Sequence, residues 1–109
     1  MASEAFHSKT LNDLCREAFE TAKQNGWHEE KREFGTLIAL MHSELSEALE
    51  AYRKDSEDVM WSHITEELAD VCIRIFNACG EYELDLATAI ESKMEKNKAR
   101  GYKYGGRRI

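Results

Sequence analysis

Proline is absent from all 109 residues, so nothing in the chain carries the ring that most sharply breaks a helix. The composition is rich in Ala, Leu, Glu, Lys and Met, the residues that cost least to place in a helix. No stretch sustains the period-two alternation of a half-buried strand. The expected class is therefore all-α, and four stretches carry apolar residues at helical spacing. The first runs from about Thr10 to Asn25 through Leu11, Leu14, Cys15, Ala18, Phe19 and Ala22, with Ser8 or Thr10 as cap and Gly26 as stop. A second, from about Arg32 to Lys54, carries Phe34, Leu37, Ile38, Leu40, Met41, Leu45, Ala48, Leu49 and Tyr52. Asp58 is the candidate cap of a third, from about Val59 to Tyr82, with Met60, Trp61, Ile64, Leu68, Val71, Cys72, Ile75, Phe76 and Cys79. The fourth runs from Leu86 to about Arg100 and stops at Gly101. Short connections between these stretches imply antiparallel neighbours, hence a four-helix antiparallel bundle. The whole chain, 1–109, reads as a single domain, with residues 1–9 and 102–109 as flexible ends around Gly105-Gly106.

A chain of this length buries about two thirds of the surface its unfolded form exposes. Its core is thin, and association with a second copy would help it. No apolar run approaches the roughly 20 residues of a membrane span. Met1-Ala2-Ser3-Glu4 has neither the basic start nor the apolar stretch of a secretory signal. Three cysteines, Cys15, Cys72 and Cys79, sit inside apolar patterns and suit reduced thiols in a cytoplasmic protein. The net charge of −6 argues against nucleic acid or an anionic membrane as partner. That average hides an asymmetry, because Lys93 to Ile109 holds seven Lys and Arg against one Glu. An acidic body with a basic end could hold cations at one place and phosphate oxygens at another, unless the end is simply a solvated tail.

Two acidic pairs sit where a bundle would otherwise place apolar residues. Stepping about 100° per residue from Leu37, Glu44 falls at roughly −20°, inside the apolar arc, and Glu47 at roughly −80°, at its edge. Measured from Ile64, Glu67 lies at roughly −60° and Asp70 at roughly −120°, beside an arc centred near 30°. Arg74, one turn beyond Asp70, shares that flank and is expected to pair with it. Each pair is spaced i,i+3, so antiparallel packing of the second and third helices would bring four carboxylates together. Four half-buried like charges repel and lose hydration unless cations neutralise them. Hard divalent ions with oxygen ligands do so, which makes Mg²⁺ or Mn²⁺ the expected occupant; the alternative is an acidic flank paired with Lys and Arg. The fourth helix begins with an apolar stripe, Leu86, Ala87, Ile90 and Met94, then continues it with Asn97 at roughly 20° from Leu86. Lys93 and Arg100 flank that asparagine. Such donors could grip phosphate oxygens or could serve the helix dipole.

The run His42-Ser43-Glu44-Leu45-Ser46-Glu47-Ala48, followed by Glu67-Leu68-Ala69-Asp70-Val71, resembles the Glu-x-x-Glu … Glu-x-x-Asp signature of the MazG-like all-α nucleoside triphosphate pyrophosphohydrolases. The closing segment Lys93-Met94-Glu95-Lys96-Asn97-Lys98-Ala99-Arg100-Gly101-Tyr102 is similar to the basic element of short members. The likeness spans about Trp27 to Arg108. It implies cleavage of a (deoxy)nucleoside triphosphate between its α and β phosphates, giving the monophosphate and pyrophosphate, in the service of clearing nucleotides. It further implies that Glu44, Glu47, Glu67 and Asp70 hold Mg²⁺ and activate a water, and that Lys93, Lys96, Asn97 and Arg100 bind phosphate or sugar oxygens. Trp27 is the implied stacking partner of the base, although it equally suits a plug over the bundle end. Members assemble as dimers or dimers of dimers, so a homodimer or homotetramer is implied here.

The remaining chemistry-bearing residues point elsewhere less clearly. His7, His28, His42 and His63 have no metal-cluster spacing, and His42 and His63 are expected to be exposed. Glu4-x-x-His7 is one copy of a motif that di-iron bundles use twice. Cys72 and Cys79 are expected in the core, and Trp61 and Tyr82 in the core or an interface. The reading that competes with an enzyme is a non-catalytic helical adaptor, or a metal-binding bundle, whose acidic flank meets a basic partner.

Overall fold

The structure, a computed structural model, describes residues 9–28 and 30–101. It contains four helices, α1 (Leu11–Gln24), α2 (Phe34–Lys54), α3 (Glu57–Glu81) and α4 (Leu86–Arg100), and no strand among the described residues. The all-α fold is what forms. The readings made on Glu4, His7, Ser8, Gly105-Gly106 and the flexible ends lie outside the described residues, apart from Lys9.

Local chemistry sets the helix ends. Thr10 caps α1: its hydroxyl accepts from the Asp13 amide at 3.1 Å, and the Asp13 carboxylate accepts from the Thr10 amide at 3.2 Å. These two bonds, the side-chain one foremost, hold Asp13 below its ordinary carboxylate value. Gly26 leaves the helix at φ 87°, in the left-handed region that favours glycine. Helix α2 begins at Phe34, two residues later than expected, because the backbone of Arg32 is engaged by α3. Its amide donates to Glu81 Oε2, and its carbonyl accepts from the Tyr82 hydroxyl. Helix α3 begins at Glu57 with Ser56 as its cap, earlier than the expected start with Asp58 as cap. Glu57 and Asp58 are instead first-turn acids, where the positive end of the helix dipole stabilises them. Asp85 caps α4 through the Thr88 amide at 3.1 Å, and Gly101 ends it at φ 72°.

Helix α3 is central, with α1 and α2 packed against it. The turn at Asp55 and Ser56 is too short for anything but an antiparallel α2–α3 hairpin. Helix α1 also runs antiparallel to α3. Its first turn is tied to the chain beyond α3: the Asn12 amide donates to Asp85 at 2.9 Å, and its carbonyl accepts from Ala87 N–H at 3.1 Å. One turn along, Cys15 meets α3 at Gly80, whose missing side chain permits the approach. A Cβ there would sit 2.6 Å from the Cys15 carbonyl oxygen and 2.6 Å from Phe19 Cβ.

The core consists of Cys15, Leu37, Ala48, Val71, Ala78 and Cys79. Burial raises both the Cys15 and Cys79 thiols above their ordinary value, so these stay protonated core groups. Cys72, expected beside them, is exposed instead. Trp61 is 65% exposed, which removes it from the core. The α2 residues Ile38, Leu45, Leu49 and Tyr52 are all exposed, and their spacing puts them on one stripe. The apolar arcs are thus wider than one chain covers. Helix α4 packs against α1 and makes no comparable contact with α2 or α3, leaving Ile90 and Met94 open. Tyr82 is half-buried against Phe34, as expected, and His42 and His63 are exposed. No helix among the described residues is long and apolar enough to cross a membrane.

Candidate active site

The α2–α3 hairpin brings the two acidic pairs face to face. Glu44, Glu67 and Asp70 each offer a carboxylate oxygen within 4.8 Å of the others. Glu47, on the rim of α2, is not one of these three; its carboxyl lies near enough to Glu67 for the two to share a proton. That interaction with Glu47 is the largest cause holding Glu67 above its ordinary carboxylate value; burial and the charges of Glu47, Asp70 and Glu44 add to it. One oxygen of Glu67, Oε2, is buried without a hydrogen-bond partner among the described residues. A carboxylate oxygen so placed lacks a cationic or donor neighbour that its environment calls for.

Arg74 supplies part of the missing positive charge. Its Nε and Nη2 both lie 3.2 Å from Glu44 Oε1, joining α3 to α2. The expected partner was Asp70, one turn away on the same helix. Cross-helix pairing wins because Glu44 is the more buried acid, with its side chain 15% exposed, whereas Asp70 is exposed to water that screens it. One arginine against four carboxylates leaves the cluster strongly negative. The donors are all oxygens, and oxygens around one Mg²⁺ lie within about 4.2 Å of each other, so small rotations of these side chains would suffice to enclose such an ion.

Beside the cluster opens a cavity of about 560 Å³ between α1, α3 and the α1–α2 connection. Glu44, Asp70 and Arg74 form one end of its wall, and Asn77, Trp27 and Arg32 line it further along. The Arg32 guanidinium lies over the Trp27 ring, 5.3 Å from its centre, and Trp27 remains 62% exposed. Trp27 therefore stands at the cavity mouth with one face covered by a cation.

His28, to which no spacing rule assigned a role, has one of the least exposed side chains among the described residues. Its side chain is 3% exposed and that of Glu81 5%, with Nδ1 3.2 Å from Glu81 Oε1. Nε2 lies 2.8 Å from Asn77 Oδ1, and the ring packs edge-on against Phe19. This network ties the α1–α2 connection, and with it Trp27 and Arg32, to the last turns of α3. Its one sequence signal is the i,i+4 spacing of Asn77 and Glu81, which puts both on one face of a helix.

The basic residues expected to complete the site are not gathered to it within one chain. Lys93, Lys96, Asn97 and Arg100 lie on α4, which packs on α1, and none of them lines the cavity. Of the nine residues expected to act, the fold joins Glu44, Glu67 and Asp70, sets Glu47 beside Glu67 and puts Trp27 beside the same cavity.

Neither curated proteins nor solved structures gave a match to this chain. The model of the MazG nucleotide pyrophosphohydrolase domain matches residues 32–103, a span that contains both acidic pairs and all of α4, and the chain belongs to that family.

Proposed function

We propose that this protein is a Mg²⁺-dependent nucleoside triphosphate pyrophosphohydrolase that converts (d)NTP to (d)NMP and pyrophosphate, clearing unwanted nucleotides. The observation that carries the reading is the meeting of Glu44, Glu67 and Asp70 within 4.8 Å, with a buried, unpartnered Glu67 oxygen, at the edge of a cavity that can hold a nucleotide. Glu44, Glu47, Glu67 and Asp70 would hold the cation, with Mn²⁺ an acceptable substitute. Bound there, the ion would neutralise the triphosphate and acidify a water for in-line attack on phosphorus. Arg74 presents its guanidinium at the same wall, where phosphate oxygens would find a charged donor. The open face of Trp27 would stack on the base, its other face being polarised by Arg32.

The same reading gives α4 a purpose that one chain alone does not. The exposed stripe of Ile38, Leu45, Leu49 and Tyr52 is an apolar surface of the kind that associates. A second copy seated on it makes a homodimer, or a tetramer built of two. Lys93, Lys96, Asn97 and Arg100 would then bind phosphate or sugar oxygens in the neighbouring subunit's site. A soluble protein of the cytoplasm fits this assignment.

Incubation with each dNTP and Mg²⁺, followed by chromatography, tests the activity. Equal amounts of monophosphate and pyrophosphate are expected. Release of orthophosphate would contradict the reaction, and absence of turnover on every nucleotide would favour a helical adaptor that uses its acidic flank to bind a basic partner.

A further inference from the structure

Arg74 touches the acidic cluster, the cavity and the α2–α3 interface at once. Its Nε and Nη2 both lie 3.2 Å from a single oxygen of Glu44, Oε1. Glu44 is one of the three carboxylates that gather oxygens within 4.8 Å. The guanidinium therefore neutralises a group that a divalent cation would also bind. Arg74 is the more exposed partner, 35% against 15% for Glu44, and it lines the cavity together with Glu44 and Asp70.

The two kinds of cation differ in what they can neutralise. A guanidinium carries one charge and here reaches Glu44, while Glu67 Oε2 stays buried without a hydrogen-bond partner among the described residues. A divalent ion carries twice the charge, and Glu44, Glu67 and Asp70 can each turn an oxygen to it. Arg74 is thus a partial substitute, placed on the acid whose charge would cost most if left alone at its depth. Both cations draw on the same negative charge, so each weakens the hold of the other. Arg74 leaves α3 one turn beyond Asp70. Released from Glu44, its guanidinium stays at the cavity wall, and its planar fork of donors suits phosphate oxygens.

We infer that Arg74 is the resident counter-ion of the acidic cluster: it neutralises Glu44 while no divalent ion is bound, yields that carboxylate to such an ion, and turns to the phosphates of the substrate. The turn to phosphate rests on the nucleotide reading of the site; the first two parts rest on the cluster and the ion pair. The consequence is a set of opposite signs. Loss of Arg74 makes the metal-free protein less stable, metal binding tighter and triphosphate binding weaker. A residue that only oriented Glu44 would instead give weaker metal binding when removed.

The test uses Arg74→Gln, with Arg53→Gln as the control that removes the same charge from an exposed pair with Glu50. Calorimetric titration of Mg²⁺ into nucleotide-free protein should show roughly tenfold tighter binding in Arg74→Gln, the scale on which a unit charge a few ångströms away opposes a divalent ion even in water. Arg53→Gln should not change it. Metal-free Arg74→Gln should melt roughly 5 °C or more below the wild type, and saturating Mg²⁺ should close most of that gap. Binding of the α,β-methylene analogues of the dNTPs, with Mg²⁺ present, should weaken roughly tenfold or more, as on loss of a charge-assisted hydrogen bond. If Arg74→Gln does not fold, the wild type carries the test through hydrogen exchange at Arg74 Nε, followed by NMR. That exchange should speed up when Mg²⁺ is added alone and slow again when an analogue follows. Equal or weaker Mg²⁺ binding in Arg74→Gln, or Nε exchange that Mg²⁺ leaves unchanged or slows, overturns the counter-ion role. Tighter Mg²⁺ binding with undiminished analogue binding overturns the turn to phosphate. The two proposals fail separately. Tighter Mg²⁺ binding by Arg74→Gln in a protein that hydrolyses no dNTP would sink the reaction and keep the counter-ion, whereas hydrolysis with Mg²⁺ affinity untouched by Arg74→Gln would do the reverse.

Discussion

Gly80→Ala places a methyl group at the closest approach of two helices. A glycine inside an exposed helix gains about 1 kcal/mol on replacement by alanine, so propensity alone predicts stabilisation. Here the added Cβ would lie 2.6 Å from the Cys15 carbonyl oxygen and 2.6 Å from Phe19 Cβ, against an ordinary carbon–oxygen contact of about 3.3 Å or more. The obstructing oxygen belongs to the backbone of α1 and cannot swing aside as a side chain does. Relief requires α1 to retreat from α3, loosening Cys15, Ala78 and Cys79, half of the small core. Overpacking of this kind costs about 1–3 kcal/mol; because α1 must move as a unit, the upper part of that range applies, and after the propensity gain a net loss of about 1–2 kcal/mol remains. For a chain of this size that is a fall in Tm of about 5–15 °C. The contrast is Gly35→Ala, whose Cβ would meet the carboxylate end of Glu33 at 3.2 Å, a flexible tip that can yield. That variant should be neutral or slightly more stable. Thermal melts at one fixed protein concentration measure both. A rise in Tm for Gly80→Ala as large as propensity alone predicts would refute the close docking of α1 on α3.

Other consequences concern the site and the tether of α4. Glu67→Gln should abolish nucleotide turnover while leaving the metal-free fold as stable or more so, because one repelling charge is gone; a failure to fold would make the group structural. Glu67 has its folded pKa raised, so the folded state binds its proton more tightly than the unfolded chain does. Metal-free protein should therefore gain Tm as pH falls through that raised value toward the ordinary 4.5, and the Tm gain caused by Mg²⁺ should shrink over the same window as protons compete. Asp13 and Asp85 act in the opposite sense, since their lowered values mean that the stability they give is lost only below about the ordinary 3.8; melts from neutral pH to that point separate the two. Asn12→Ala removes the amide that bonds both Asp85 and Ala87 and should cost about 1–2 kcal/mol, with faster amide hydrogen exchange in the first turn of α4 than elsewhere.

Much of the fold was readable because helices advertise their buried face and their ends in local sequence. Gly26, Gly101 and Thr10 end or begin helices where the pattern put them, and the offsets of Glu44, inside its apolar arc, and of Glu67, beside its own, foretold that their carboxylates would face each other. What eluded the sequence is set by partners distant along the chain. Arg74 had an acid one turn away on its own helix, and only the α2–α3 packing offers it the more buried Glu44. His28 pairs with Asn77 and Glu81, about fifty residues later, and no spacing rule connects a loop histidine to a helix face. Trp61 and Leu68 obey helical periodicity yet lie exposed, since periodicity marks a face as apolar without saying whether the same chain covers it. Cys72 shows the limit of the arc argument: it borders the buried face without reaching it.

Everything proposed for the chemistry depends on the acidic cluster being a cation site. Calorimetric titration of Mn²⁺ and of Mg²⁺ into nucleotide-free protein addresses it without relying on turnover. The account predicts saturable binding in the wild type, a loss of about tenfold or more in Glu67→Gln and in Asp70→Asn, as expected when a charged ligand is removed, and no change in Glu50→Gln, whose carboxylate pairs with Arg53 and Lys54 outside the cluster. Binding that is equally strong in Glu67→Gln and Asp70→Asn, or no binding by the wild type even with nucleotide added, would contradict it.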